Sequence, residues 1–319
     1  MPAPIAHSLP FDPTYGYGLD DLLRVGAPEP PPDFQEFWRA RSARARALDV
    51  RPRLRASPLS HPDWIVSEIT YASTGGFAID GWLLEPRRGD VVRGLVVGHG
   101  YGGRDGPDFD VPARGTAAIF PCLRGMSRSA RPPIPSESAG HVVYGIDSRD
   151  DYIIGGCVED VWLAVSALLA LYPRLDGHIG YSGVSFGGGV GALAIPWDAR
   201  IRRGYLTVPT FGNHPLRLTL PSQGSLAAVQ AYQAGHGGVA ETLAYYDAAT
   251  AARFIAVPML VAAALFDPSV PPPGQFAIFN AIPGRKTLFT LDAGHFDYPG
   301  KDDQEAALRR TAIAFFADL

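Results

Sequence analysis

Residues 180–189 read Gly180-Tyr181-Ser182-Gly183-Val184-Ser185-Phe186-Gly187-Gly188-Gly189, and the reading of this stretch decides the fold. Within it, Gly183-Val184-Ser185-Phe186-Gly187 fits Gly-x-Ser-x-Gly, which marks a sharp turn from a strand into a helix with serine at the apex. The flanks agree. His178–Ser182 reads as a short strand, and Val190–Ile195 reads as an apolar helix start that Pro196 ends. A serine at such an apex is held in a strained backbone conformation, so its neighbours must lack bulk where strand and helix pass. The helix N-terminus behind Ser185 also directs free N–H groups at any negative charge that develops beside it. A glycine-rich turn that merely contains a serine would match the same five residues. The strand and the helix on either side favour the catalytic reading.

Working outward, Gly94-Leu95-Val96-Val97-Gly98 is a continuous apolar run, as a parallel strand buried on both faces requires. Similar runs recur at 116–120, 178–181, 204–208, 257–265 and 287–291. Helical stretches lie between several of them. The longest is 147–172, where Val158, Val161, Trp162, Val165, Leu168 and Leu169 follow helical spacing. Strands alternating with helices predict an α/β fold, a doubly wound and mostly parallel central sheet with helices on both faces. Ser185 then falls at a strand's carboxyl end, where such sheets carry their chemistry.

Before residue 93 the pattern differs. Residues 1–32 are rich in Pro, Gly and Tyr and predict an extended arm on the body. Asp33 is expected to cap a helix over 34–48, with Phe34, Phe37 and Trp38 on one face. Stretches 63–71 and 77–85, joined at Thr74-Gly75-Gly76, predict an antiparallel hairpin at the sheet edge. A single domain thus spans 33–319. Residues 212–250 break its rhythm and predict a helical insertion over the site, as a lid or a subunit contact. An amphipathic helix over 302–318 closes the chain.

The 319 residues are 46% hydrophobic and 19% charged with a formal charge of −4, which describes a globular protein with a sizeable core and no basic face for nucleic acid. Cys122 and Cys157 are too few for a disulfide framework, and free buried thiols suit a reducing compartment. The N-terminus lacks the pattern of a signal peptide, and the longest apolar stretch, 161–172, is too short to span a bilayer. A cytoplasmic protein is expected. His99, His141, His178 and His214 lack zinc-ligand spacing, and no glycine pattern fits a dinucleotide or phosphate loop, so neither metal nor cofactor is expected.

A serine hydroxyl needs a base to take its proton and an acid to orient that base. The ends of two late strands supply candidates. Asp267 follows the run 257–266, in a loop stiffened by Pro268 and Pro271-Pro272-Pro273. His295 follows Asp292-Ala293-Gly294 after the run 287–291. Asp292 and Asp297 compete for the acid's role but lie on the histidine's own loop. Oxyanion donors are expected at the backbone N–H of Phe186 and, from the loop Gly98-His99-Gly100-Tyr101-Gly102-Gly103, of Tyr101. His99 reads as a structural hydrogen bonder. Arg124-Gly125 reads as a loop anchor.

The ordered set His99-Gly100-Tyr101-Gly102-Gly103, Arg124-Gly125, Gly183-Val184-Ser185-Phe186-Gly187-Gly188, Asp267-Pro268-Ser269-Val270-Pro271-Pro272 and Gly294-His295 resembles the acetyl xylan esterase / cephalosporin C deacetylase family of α/β-hydrolases. Pro32–Trp38 and Gly81–Pro86 extend the resemblance over nearly the whole chain. It implies a Ser185–His295–Asp267 triad with donors at Tyr101 and Phe186, and deacetylation of small esters such as acetylated xylo-oligosaccharides and cephalosporin C. It also implies no metal or cofactor, and a homo-oligomer, often a hexamer. The alternative within this fold is a peptidase or amidase of the prolyl-peptidase kind, although no propeller-like repeat precedes residue 93. The sequence departs from the family at Met126, Phe186 and Phe296, where Gln, Gln and Glu are usual. Phe186 is expected to alter the pocket wall, and Phe186 and Phe296 to make the pocket more apolar.

Overall fold

The structure, a computed structural model, describes residues 5–319; the first four residues of the expected arm lie outside the described residues. Three strands come first: β1 (Arg53–Ala56), β2 (Trp64–Ser73) and β3 (Phe77–Pro86). β2 and β3 are the expected hairpin, turning at Thr74–Gly76. β1, which is exposed along its length, adds an outer antiparallel edge that carries no apolar alternation to betray it. Six strands follow: β4 (Arg93–Gly98), β5 (Thr116–Pro121), β6 (Ile179–Val184), β7 (Ile201–Thr207), β8 (Met259–Ala264) and β9 (Lys286–Leu291). The sheet order is β1-β2-β3-β5-β4-β6-β7-β8-β9, and every pairing from β5 to β9 is parallel.

Alternation along the strands divides the core between the two faces. Val96, Ala117, Ile119, Ile179 and Tyr181 share the larger core with helices Phe34–Arg46, Ile153–Leu171 and Phe186–Ala194. Leu95, Val97, Ala118 and Phe120 share the smaller one with Phe316 of the final helix, Lys301–Ala317. Helix Phe34–Arg46 buries Phe34, Phe37, Trp38, Arg41, Ser42 and Ala45, the single stripe that helical spacing allows.

Three local expectations are corrected. Asp33 precedes its helix but makes no side-chain cap; its carboxylate instead accepts from Arg149 at 2.9 Å and from Tyr245. The long helix begins at Ile153, not 147, because Gly145 turns the chain at φ 71°, where a Cβ would lie 2.5 Å from the Asp151 carbonyl oxygen. At 19 residues that helix is also long and apolar enough to cross a membrane, contrary to the reading of 161–172. It is instead a core helix, buried along most of its length, and its Glu159 and Asp160 hold arginines.

Between β7 and β8 lie helices His214–Arg217, Ser225–His236, Val239–Tyr245 and Ala248–Ala252. Cys122 and Cys157 are both buried free thiols.

Candidate active site

β4, β6, β8 and β9 run parallel, so the segments after Gly98, Val184, Ala264 and Leu291 all emerge at one edge of the sheet. Ser185 stands at the tightest of these exits, with φ 54° and ψ −110°, a conformation that non-glycine residues avoid. The turn closes because Gly183 and Gly187 lack side chains. A Cβ on Gly187 would lie 2.7 Å from the Gly98 carbonyl carbon and 2.8 Å from the His99 oxygen. That close approach lets the Gly187 N–H donate to the His99 carbonyl at 2.9 Å, which ties the nucleophile turn to the loop after β4.

The structure brings three of the candidate side chains into one line. His295 Nε2 lies 2.9 Å from Ser185 Oγ, and His295 Nδ1 lies 2.8 Å from Asp267 Oδ2. Asp267 is fully buried, whereas the His295 side chain is 28% exposed. The aspartate is held by more than the histidine. Its Oδ1 accepts from the Ser269 and Val270 N–H groups at 2.9 Å each, and its Oδ2 accepts from Gln275 Nε2 at 3.0 Å. Asp267 thus orders its own loop through Oδ1 while Oδ2 faces the histidine. Burial pulls the His295 pKa down, but the hydrogen bond and charge of Asp267 outweigh it and hold the imidazole above its ordinary value. Asp297 pairs with Lys301 instead, and the histidine's Nδ1 goes to Asp267 rather than to Asp292.

The Phe186 N–H is at the free end of its helix, and the Tyr101 N–H lies in the turn closed by Gly103 N–H donating to the Gly100 carbonyl at 3.0 Å. Among the described residues neither amide has a partner. Gly100 packs against the Ser185 Cβ. Tyr101 lines the same cavity as Ser185, and Phe186 follows the serine directly in the chain.

A cavity of about 360 Å³ opens over Ser185 and His295. Its wall is made of Gly100, Tyr101, Ser138, Val184, Thr210, Gly224, Ser225, Ser269 and Val270. This corrects two expectations. The Phe186 side chain is fully buried and lies beneath the Tyr101 ring at a 4.2 Å centroid distance, so it supports the wall from behind. Phe296 packs against Phe266 at a tilt, with ring centroids 5.1 Å apart, and also lies outside the wall. The surface presented to a ligand is therefore rich in small hydroxyl side chains. A larger cleft, of about 510 Å³, is lined by Arg41, Thr74, Phe77, Arg124, Arg131 and Glu159 among others, away from the triad. Two of its arginines are paired, Arg41 with Glu159 and Arg124 with Asp160.

His99 accepts the Leu123 N–H at Nε2, 3.0 Å, and burial followed by the Arg104 charge pushes its pKa down to about 4. It is a neutral structural group. Arg124 makes two side-chain bonds to Asp160, at 3.0 and 2.7 Å. Its carbonyl accepts from His141 Nε2 at 3.0 Å, and His141 Nδ1 faces the Tyr101 hydroxyl at 3.4 Å, so the anchor reaches the oxyanion loop. Among the described residues no group of three or more His, Cys, Asp or Glu side chains is placed to hold a metal ion.

Two supporting residues were not singled out from the sequence. Gln275 donates to Asp267 and to the Val270 carbonyl, and its Oε1 accepts the Ala264 N–H. Its signal was a lone buried polar side chain in the run Pro271–Ile278. Arg217 is buried and, among the described residues, forms no salt bridge, and burial pushes its pKa down to about 10. It donates to the Thr210 hydroxyl behind the cavity wall at 3.1 Å. Nothing in its local sequence marks it.

The family model for acetyl xylan esterase (AXE1) matches residues 18–311. An acetyl xylan esterase from a Thermoanaerobacterium species superposes with a TM-score of 0.80 at 21% identity, covering 95% of this chain and 99% of that one. One from a Paenibacillus species gives 0.80 at 23% identity, covering 94% and 100%. An acylaminoacyl peptidase from Pyrococcus horikoshii shares the fold at 0.63 and 15% identity, but the match spans 80% of this chain and only 42% of the peptidase. With a mostly parallel sheet, helices on both sides and a family match that covers most of its length, this chain is an α/β-hydrolase that belongs to the acetyl xylan esterase family.

Proposed function

We propose that the chain is a serine carboxylesterase that removes acetyl and other short acyl groups from small esters, acetylated xylo-oligosaccharides and cephalosporin C among them. The observation that carries the reading is the unbroken line from Ser185 Oγ through both imidazole nitrogens to the buried Asp267 carboxylate. In this reading His295 Nε2 takes the Ser185 proton as Oγ attacks the ester carbonyl carbon. The carbonyl oxygen becomes an oxyanion and accepts from the Tyr101 and Phe186 N–H groups. Collapse breaks the bond to the alcohol oxygen, which receives the proton from His295. Water then attacks the acyl-serine with His295 again as base, releasing a carboxylic acid and restoring Ser185. Asp267 stays ionised throughout, holding the Nδ1–H and stabilising the imidazolium.

The cavity's size supports a small substrate, since ligand pockets start at about 300 Å³. Its hydroxyl-lined wall suits a polar alcohol. The working form is taken to be a homo-oligomer, which rests on the family resemblance and is checked by light scattering. The test of the function is Ser185→Ala. Hydrolysis of p-nitrophenyl acetate should fall by about 10³ or more. Activity within tenfold of the wild type would exclude Ser185 as the nucleophile.

A further inference from the structure

The N-terminal arm crosses to the acid side of the triad and bonds to Asp267 itself. The Asp267 N–H donates to the Pro13 carbonyl at 3.1 Å. The Tyr15 hydroxyl lies 2.8 Å from the Pro221 carbonyl and 3.4 Å from the Asp267 carbonyl. The acid's N–H is therefore met by Pro13, and the Tyr15 hydroxyl, donating to Pro221, stands beside the acid's carbonyl, both residues more than 250 positions away. The contact is built rather than incidental. Asp12 accepts from the Thr14 N–H and hydroxyl, and Tyr15 N–H and Tyr17 N–H close successive turns onto Asp12 and Thr14. Within this turn Tyr15 is held at φ 55°, a left-handed conformation that a tyrosine does not adopt without support. Pro13 is buried. On either side, His7 packs edge-on against Phe266 at 5.3 Å, and Leu22 is buried with Ala263 and Phe276.

The acid needs such an anchor. Its carboxylate is bonded to Ser269, Val270 and Gln275, all on its own loop or the helix that follows. Those bonds fix the carboxylate within the loop, and Gln275, whose Oε1 accepts the Ala264 N–H at 2.9 Å, ties it to β8. On the histidine side the loop is tied by Gly294 N–H to the Phe266 carbonyl at 2.8 Å. On the other side stand the arm and the insertion, whose Gln223 N–H donates to the Pro268 carbonyl at 2.8 Å. Tyr15 joins arm, acid loop and insertion, because its hydroxyl donates to Pro221 and lies 3.4 Å from the Asp267 carbonyl.

We propose that Tyr15 is a positioning residue for the reaction, and that the arm sets the distance between the Asp267 carboxylate and His295 Nδ1. This rests on the triad reading above. It assigns the arm a part in turnover, not only in folding. A hydrogen bond from carboxylate to imidazole depends on tenths of an ångström, and a misplacement of about 1 Å at a distance from the chemistry can cost on the order of 10²-fold in rate. The charged groups facing Tyr15 are Asp12 on its own turn, Asp267 and Arg217.

The experiment uses the full chain and Tyr15→Phe, which removes the hydroxyl and keeps the ring. For p-nitrophenyl acetate, kcat should fall about tenfold with KM little changed. A weaker Asp267 contact lowers the His295 pKa, so the acid limb of the kcat profile should move to lower pH. The downfield resonance of the His295 Nδ1 proton should also weaken or shift. Thr14→Val, which loosens the turn and keeps Tyr15, should change kcat and the limb in the same direction by a smaller amount. If both variants melt at lower temperature while kcat and the limb stay unchanged, the arm is purely structural and the inference falls. Wild-type protein whose Ser185 is not labelled by a fluorophosphonate would instead overturn the triad reading. Labelled wild type with indifferent variants would overturn the positioning role alone.

Discussion

Replacing Asp267 by Asn tests the site at its most specified point. The carboxylate accepts four hydrogen bonds: two at Oδ1, from the Ser269 and Val270 amides, and two at Oδ2, from Gln275 Nε2 and His295 Nδ1. In the amide variant one position must carry hydrogens. The Oδ1 position faces two backbone donors that cannot move, so the NH₂ group takes the Oδ2 position. There it meets the Gln275 NH₂ and the Nδ1–H. The histidine can relieve the clash by moving its proton to Nε2 and accepting at Nδ1. That tautomer cannot take the Ser185 proton, so kcat should fall by about 10³ to 10⁴, equivalent to roughly 4 to 5.5 kcal/mol of transition-state stabilisation. The pH profile carries a second signature. In the wild type Asp267 holds the imidazole pKa above 6.5 against the effect of burial, and the base works only when neutral. Activity should therefore rise with pH through an acid limb whose midpoint lies above 6.5, and the limb should move to lower pH once the carboxylate is gone. The assay is p-nitrophenyl acetate hydrolysis across pH, with thermal melting as a folding control. A folded variant retaining more than a tenth of the activity, with an unmoved limb, would refute the assignment of Asp267.

Phe186→Leu should leave the relative rates on p-nitrophenyl acetate, butyrate and hexanoate unchanged, because the ring lies under Tyr101 and outside the cavity wall; a shift in chain-length preference would contradict that placement. Arg124→Met leaves the fully buried Asp160 carboxylate without its main cation. The loss should be about 3 to 5 kcal/mol, a melting point lower on the order of ten degrees, with much of it recovered in Arg124→Met/Asp160→Leu. Equal destabilisation in the single and double variants would show that the pair is not what holds this loop.

The parallel half of the sheet was legible because strands buried on both faces must be continuously apolar, as at Gly94–Gly98. The triad candidates were legible because each follows such a run. Gly183 and Gly187 were legible because close backbone approach admits nothing larger. What stayed hidden lacked a local signal. β1 is exposed on both faces and has no periodicity. The direction of the Phe186 side chain follows from its place at the first turn of a buried helix, packed among Tyr101, His141 and Phe211, which come from three distant segments. Asp33 carries the composition of a cap, but its carboxylate was taken by Arg149 and Tyr245, which local sequence does not show. Tyr15, Gln275 and Arg217 matter through partners that only the folded chain brings near.

The account stands on Ser185 carrying the acyl group between two half-reactions. Acid quenching of the enzyme during turnover of p-nitrophenyl acetate, followed by peptide mass spectrometry, measures this directly. The account predicts one acetyl group on the peptide containing Ser185, absent from Ser185→Ala and accumulating in the wild type when the quench is early. Turnover with no acetyl on that peptide, or with the same adduct formed elsewhere and retained in Ser185→Ala, would contradict it.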